Sequence, residues 1–443
     1  MNGSIEKLGR QRQEWHDRYM HILFVHHNFP AQFGQIAGYL SKLEGFTCTF
    51  LSQRPAHKSG KLQLIQYNTQ TAAKALEQAN LVQGNSEGKA SHSTHYCSRT
   101  FENGVWNAHA VYQTMKAHPQ IRPDLIVGHS GAGSTVFLAD LYECPIINYF
   151  EYYYHRHNSD MDFRPEFPCS ELDFLRARAR NAMILLDLET CRRGYSPTNW
   201  QRSLLPAAYQ HKVDTIFDGI DRSFWRRSQV PRRIGNQDIP DDVKIVTYVA
   251  RGFESMRGFD IFMKVAKRIY SVRSDVIFAV VGSDQTFYGN DSAHIPEGMS
   301  FRQFVLSQDD YDLNRFIFPA ADRGSVPVTE LVQILSLSDL HIYLTVPFVL
   351  SWSLMNAMAC SCTVLASNTP PVAEVITHEQ NGLLADFYDI DELTRQALRV
   401  LDSPDQFAPL GQAATQTIDD KYSLKVTLPQ MLSLYQRTLR NQS

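Results

Sequence analysis

Short apolar runs alternate with amphipathic stretches along this chain. His21–His26 (HILFVH) is dense in large apolar residues and predicts a buried strand, and Gln32–Leu43 follows at helical period. Thr47–Ser52, Leu62–Tyr67, Asp124–His129 (DLIVGH) and Pro145–Phe150 (PIINYF) predict further strands, with a helix over Ser134–Tyr142. Ser170–Thr190 predicts a long helix, and Asp214–Asp218 a last strand of the first half. Polar Gln83–His95 and the segment Glu151–Pro168 interrupt the series as loops. Strands alternating with helices imply βαβ units on a parallel sheet.

Arg226–Asp242 (RRSQVPRRIGNQDIPDD) has two prolines, a glycine and few apolar residues, the composition of a linker. The alternation then restarts. Strands are predicted over Lys244–Ala250, Asp275–Gly282, Arg315–Phe318, Asp339–Leu344 and Thr363–Ala366. Helices are predicted over Gly258–Tyr270, Val328–Leu337, Ser351–Ala359 and Asp391–Leu401. The expectation is two open α/β domains in tandem, residues 20–225 and 243–425. Residues 1–19 form a polar extension. A last amphipathic helix, about 426–443, returns to the first domain and makes a second crossing.

Composition narrows the class. With 443 residues, two or three domains fit. A net charge of −3 gives no global basic excess, which argues against nucleic acid as a partner. No apolar run reaches the roughly 18 residues of a transmembrane helix, and Met1–Tyr19 lacks the apolar core of a signal peptide. Seven scattered cysteines fit neither a zinc site nor a disulfide framework. Buried free thiols in a reducing cytoplasm are the expectation, with peripheral membrane contact left open.

Candidate chemistry concentrates where strands give way to helices. Arg251 follows strand 244–250 directly, and Arg257 stands just before Gly258 and the next helix. There, backbone N–H groups and the helix dipole favour anions, and planar guanidinium donors match phosphate oxygens. The alternative is a pair of solvated surface arginines.

The chain resembles glycosyltransferase family four. In that family a strand ends in Arg, and a Lys or Arg several residues on joins it in binding the donor pyrophosphate. Arg251 and Arg257 match. Ala357-Met358-Ala359, the following strand, Pro370–Pro371, Glu374–Ile376 and Asn381–Leu384 match the later signature. The resemblance extends from Met20 to about residue 425. It implies the α/β GT-B fold, two Rossmann-like domains facing across a cleft. The activity implied is sugar transfer from a nucleoside diphosphate sugar to a hydroxyl acceptor, with retention. The nucleotide sugar is a substrate; no further cofactor and no metal are implied. One departure is sharp. Of the family's Glu-x7-Glu pair, Phe348 replaces the first and Asn356 the second. Asn356 offers one carbonyl acceptor to the ribose where a carboxylate would hold both hydroxyls. Sugar contacts then fall to backbone N–H groups or to Ser351 and Ser353. Phe318, ending its short strand, is set with these donor-binding residues.

In the first half, the loop His27–Gly34 (HNFPAQFG) resembles the family segment that brings backbone close to the donor phosphate. Gly34 permits that approach, or simply starts the helix. His129 resembles the family's cleft histidine, which faces the donor sugar. Gly131-Ala-Gly133-Ser-Thr-Val136 with Glu151 twenty residues on is most of a dinucleotide fingerprint, but Val136 replaces its third glycine. Phe150–Pro168, aromatic and charged, is read as acceptor-side through Tyr153, His155, Asp160 and Arg164, or else as a packed surface loop. Tyr195–Trp200 and Asp218–Asp221 resemble signatures near the interdomain hinge. The expected acceptor is a carbohydrate, a lipid-linked molecule or another hydroxyl compound, in glycan or glycoconjugate biosynthesis. A non-catalytic glycosyltransferase-like protein binding a nucleotide or a partner is the competing reading, motivated by the two missing glutamates.

Overall fold

The computed structural model describes residues 19–55, 60–78, 94–132, 135–319 and 324–440. The extension over 1–18, most of the loop expected at 83–95, and Gly133 lie outside the described residues.

The chain divides into two units. The first takes residues up to 155, then 170–219, then those from 427 on; the second takes 156–169 and 220–426. Four passages between units follow, at 155/156, 169/170, 219/220 and 426/427, where the sequence pattern suggested two.

Seven parallel strands make the first sheet: β1 (Met20–Val25), β2 (Phe46–Ser52), β3 (Gln63–Gln66), β4 (Leu125–His129), β5 (Ile146–Tyr149), β6 (Arg193–Ser196) and β7 (Val213–Thr215). Their order is β3-β2-β1-β4-β5-β6-β7. Both faces are covered, so β1 reads as a continuous apolar run. Ile22 and Phe24 pack on one side with Phe33, Phe50 and Leu434, Tyr435 of the last helix, Leu424–Arg440. Leu23 and Val25 pack on the other with Val111, Met115, Ile184 and Leu188.

Two sequence expectations change here. Arg99–Lys116 is an 18-residue helix whose buried face includes Gly104, Ala108 and Ala110; small residues gave it no strong apolar period. The helix expected over 134–142 is instead a run of turns, with Leu138 N–H donating to Thr135 O and Leu141 N–H to Leu138 O. The buried Thr135 hydroxyl bonds Asn148 Oδ1 (3.0 Å) and Asp187 Oδ1 (3.2 Å), a local alternative to helix. Tyr195–Trp200 lies in the first unit, on β6 and the helix Asn199–Ser203, with the Trp200 ring 6.1 Å from Tyr152, shortly before the 155/156 passage.

In the second unit, a hairpin of β8 (Arg233–Ile234) and β9 (Gln237–Asp238) occupies the expected linker. Then come β10 (Lys244–Gly252), β11 (Val276–Ser283), β12 (Phe316–Ile317), β13 (Leu340–Tyr343), β14 (Val364–Ser367) and β15 (Leu383–Ala385). The order β12-β11-β10-β13-β14-β15 repeats that of the first sheet. The helix Phe259–Val272 buries Phe262, Val265, Ala266 and Ile269, and the helix Ile390–Asp402 buries Leu393, Ala397 and Val400. Strand order reverses beside β1 in one sheet and beside β10 in the other. Such switch points open crevices at the carboxyl ends of the strands.

Candidate functional site

β10 runs out at its switch point into Arg251 and Gly252, then a 3-10 turn, Ser255–Arg257. Gly258 follows at φ +62°, and a Cβ there would sit 2.8 Å from Leu344 Cβ. Only glycine meets both demands, and it opens the helix Phe259–Val272 directly behind the turn.

Arg257 is buried, 5% exposed. Its guanidinium donates to Thr345 Oγ1 (2.7 Å), Val349 O (3.2 Å) and the Tyr343 hydroxyl (3.4 Å). The rings of Tyr288 and Phe348 stand 5.4 and 5.8 Å from it. Burial works against its charge, but the surrounding Tyr343, Tyr288 and Glu254 hold its pKa above the usual arginine value. Every hydrogen-bond acceptor it has is uncharged, and among the described residues no carboxylate lies within ion-pair distance of it. A buried cation with no carboxylate in ion-pair contact is costly. Arg251 is exposed and lies 4.0 Å over the Phe287 ring.

One loop carries both stacking partners. Phe287 and Tyr288 donate their backbone N–H groups to Glu254 Oε2 at 2.9 Å each. Asp291 returns the contact by accepting from Ser255 N at 2.8 Å and from its hydroxyl at 2.5 Å. Burial raises the Glu254 carboxyl to about 7. Sequence reasoning missed Glu254, Phe287, Tyr288 and Tyr343. A carboxylate three residues after Arg251 inside the same loop was the available signal.

Phe348 is buried against Tyr288, ring centres 5.1 Å apart. Ser351 caps the helix Trp352–Ala359: its hydroxyl accepts from Ser353 N–H and pairs with the Ser353 hydroxyl at 2.9 Å. Ser351 N–H reaches the Tyr343 hydroxyl at 3.1 Å, which joins it to the Arg257 cluster. Asn356, one turn on, is 7% exposed, and no hydrogen bond engages its side-chain amide among the described residues. Phe318 stands apart, under the Arg302 guanidinium at 5.2 Å and beside Phe253.

The first unit holds its own cluster beyond β1, β4 and β5. His129 ends β4; its Nδ1 lies 2.8 Å from Ser130 O and its Nε2 3.7 Å from Glu151 Oε2. The His26 ring meets His129 edge-on at 4.9 Å, and Tyr149 lies 5.3 Å away. Gln32 Nε2 donates to Glu151 Oε1 at 3.2 Å. The Phe29–Pro30 peptide is cis. A Cβ on Gly34 would collide with the Pro30 ring, so Gly34 serves packing at the start of its helix. The fingerprint acid Glu151 is thus committed to His129 and Gln32.

The four acceptor-side residues divide between the two units. Tyr153 and His155 belong to the first unit, Asp160 and Arg164 to the second. His155 Nε2 lies 2.8 Å from Leu204 O, with the Tyr153 ring 5.5 Å away. Arg164 is corrected outright: its side chain is 3% exposed and forks onto Asp260 at 2.7 and 3.2 Å while donating to Ser255 O at 2.6 Å. Phe167, Phe387 and Tyr388 surround it at 5.0–5.6 Å. A charged aromatic segment found its partners on the second unit and is packed there.

Among the described residues no group of three or more His, Cys, Asp or Glu is placed to hold a metal ion, and no helix is long and apolar enough to cross a membrane.

Comparison with known proteins places this geometry. Residues 45–224 match the family described as Glycosyl transferase family 4 group, and residues 231–417 match Glycosyl transferases group 1. N-acetyl-alpha-D-glucosaminyl L-malate synthase of Bacillus anthracis is 20% identical over 229 residues, or 52% of this chain; the match spans 55%, about half, of that relative's length. Sucrose-phosphate synthase of Thermosynechococcus elongatus superposes with a TM-score of 0.72 at 14% identity, over 95% of this chain and 100% of that one. HepE of Anabaena, solved with UDP and glucose, gives 0.62 at 14% identity over 95% and 100%. These likenesses establish the fold as GT-B, a pair of Rossmann-like units.

Proposed function

Because this chain belongs to glycosyltransferase family four, we propose that it moves a sugar from a nucleoside diphosphate sugar to a hydroxyl acceptor, with retention at the anomeric carbon. The observation that carries the reading is Arg257, a buried guanidinium with only neutral hydrogen-bond acceptors. A pyrophosphate supplies the missing counter-charge, and Arg251 at the end of the same strand adds a second donor fork. The UDP bound by HepE of Anabaena makes uridine diphosphate the first nucleotide to test.

In this mechanism the two arginines gain most as the glycosidic bond breaks and charge collects on the leaving pyrophosphate. Donors held in place for that charge need no reorganisation at the moment of reaction. The Tyr343 hydroxyl and the Ser351 cap hold the neighbouring backbone. Asn356 takes the ribose with its amide. Biosynthesis of a glycan or glycoconjugate is the context that this activity fits.

The packing of Phe348 against Tyr288 favours a second reading. Here an aromatic wall has replaced a sugar-binding carboxylate, and the protein binds nucleotide without transferring sugar. Calorimetry with UDP, GDP, ADP and dTDP, followed by a transfer and hydrolysis assay with sugars of the nucleotide that binds, separates the two. Binding without turnover across the panel selects the second; no binding to any nucleotide overturns both.

A further inference from the structure

We propose that Glu151 is a positioning residue that holds His129 as an imidazolium, so that a substrate oxygen reaching His129 meets a fixed ion pair and not a base. That this oxygen belongs to a transfer substrate rests on the function proposed above; the protonation state of His129 does not.

The geometry is specific about protons. His129 Nδ1 lies 2.8 Å from the Ser130 carbonyl. A carbonyl only accepts, so Nδ1 carries a hydrogen. The other nitrogen, Nε2, faces Glu151 Oε2 at 3.7 Å, again an acceptor. With Nδ1–H committed to the carbonyl, a second hydrogen on Nε2 makes the ring the cation that pairs with the Glu151 carboxylate at this ion-pair distance. Glu151 is fixed in turn: Gln32 Nε2 donates to its Oε1 at 3.2 Å, and Gln201 Nε2 to its backbone oxygen at 2.5 Å. His26 Nδ1 lies 2.9 Å from Asn28 N and 3.0 Å from Asn28 O, so its contacts stay within its own loop.

The charged and titratable groups around His129 agree. Burial alone would lower its pKa, but Glu151, the Ser130 carbonyl and Asp218 outweigh burial and raise it. Burial would raise Glu151, yet His129, Arg180 and His27 together lower it, the shift opposite to that of His129. Burial, reinforced by His129 and His27, pushes His26 down to about 2. Asp187, which accepts from Ser130 Oγ and Gly131 N–H at 2.9 Å each, also feels the His129 charge. Its own carboxyl is raised by burial to about 6. The sign follows from the raised folded value. The contribution of His129 is complete below about pH 6.5, the ordinary histidine value, and is lost as pH climbs through the higher folded one.

The test is histidine NMR on the full chain labelled at the imidazole ring, with His129→Asn to identify the signal. In the unmodified protein the His129 midpoint is expected above 6.5, the ordinary histidine value, which needs no further variant. In Glu151→Gln the His129 midpoint should fall by at least about one pH unit, the scale of a lost carboxylate neighbour. Glu151→Asp should restore part of it. If transfer is measured, the alkaline limb of its pH profile should move down with the NMR midpoint in Glu151→Gln. A His129 midpoint at or below 6.5, or an unmoved midpoint in folded Glu151→Gln, overturns the proposal. A shifted midpoint with no transfer activity in the unmodified protein leaves the cation standing and overturns the transferase reading instead.

Discussion

The Tyr288 amide donates to Glu254 Oε2 at 2.9 Å, and the Tyr288 ring lies 5.4 Å from the Arg257 guanidinium. A buried carboxyl therefore fixes the loop that lies over a buried cation. Burial lifts that carboxyl from 4.5 to about 7. Its proton is held more tightly folded than unfolded, so its stabilising contribution is complete below about pH 4.5 and is lost as pH rises through about 7. Glu254→Gln keeps an acceptor for both amides and removes the titration. The variant should match the unmodified protein in thermal stability at pH 4.5 and exceed it at pH 8, by up to roughly 3 kcal/mol. Calorimetric melting across that range checks this; parallel curves would refute it.

The two arginines should separate by readout. Arg251 is exposed, so Arg251→Ala should leave stability unchanged and weaken nucleoside diphosphate binding about tenfold or more, the loss of one charge-assisted bond. Arg257→Ala should weaken binding as much and also lower stability, because Thr345 Oγ1 and Val349 O lose a donor. The double variant should bind no nucleotide. Unchanged affinity in the folded double variant, measured by titration calorimetry, would remove the donor-site assignment.

Asn356 sits one turn into the helix Trp352–Ala359 with its amide uncommitted among the described residues. If it holds the ribose, Asn356→Ala should weaken nucleotide binding by about 1 kcal/mol, a typical net hydrogen bond. Asn356→Glu should keep or tighten binding, since a carboxylate accepts from two hydroxyls. Equal affinity in all three proteins takes Asn356 out of the site.

Arg164 tests the packing of residues 156–169. Arg164→Ala leaves Asp260, 13% exposed at its side chain, without its cation. Breaking a buried pair from one side costs about 3–5 kcal/mol. Arg164→Lys should recover little, because a point charge cannot fork onto both oxygens. Urea unfolding gives the measurement; a change below about 1 kcal/mol would mean that the pair is open in solution.

Where periodicity was strong, the pattern carried far. β1, β10 and β11 are apolar runs covered on both faces, and they stand within a residue or two of their expected bounds. The 3-2-1-4 strand order is a tertiary choice that no local pattern encodes. Arg99–Lys116 hid because Gly104, Ala108 and Ala110 let helices approach without large side chains. Arg251 and Arg257 were legible, since a strand end and a helix start were both visible around them. Glu254, Glu151 and Tyr343 were not, because each acts through a partner distant in sequence. Glu254 reaches residues 287 and 288, Tyr343 meets Arg257, and Glu151 meets His129. Arg164 was placed on the wrong unit for the same reason: its acceptors, Asp260 and Ser255, lie about a hundred residues away.

The last helix gives the most exposed test of how the chain is partitioned. Its residues from Thr427 on belong to the first unit, although more than two hundred residues of the second intervene. Leu434 and Tyr435 are fully buried in the core that contains Ile22, Phe24, Phe33 and Phe50. Arg437 adds an ion pair to Asp214 beside them. Leu434→Ala opens a cavity in the core of the first unit, and such truncations cost about 2–5 kcal/mol. The second unit has its own core, including Phe259, Phe262, Phe278 and Leu365, and contains the Arg251–Arg257 turn. Hydrogen exchange in Leu434→Ala should therefore speed up in β1, β2 and β4 and stay slow in β10 and β11. Nucleoside diphosphate affinity should be kept under conditions where the variant is folded, while transfer to an acceptor falls. Equal loss of protection in both sheets would show that the two units unfold as one body, and would refute a division in which the C-terminal helix belongs energetically to the first.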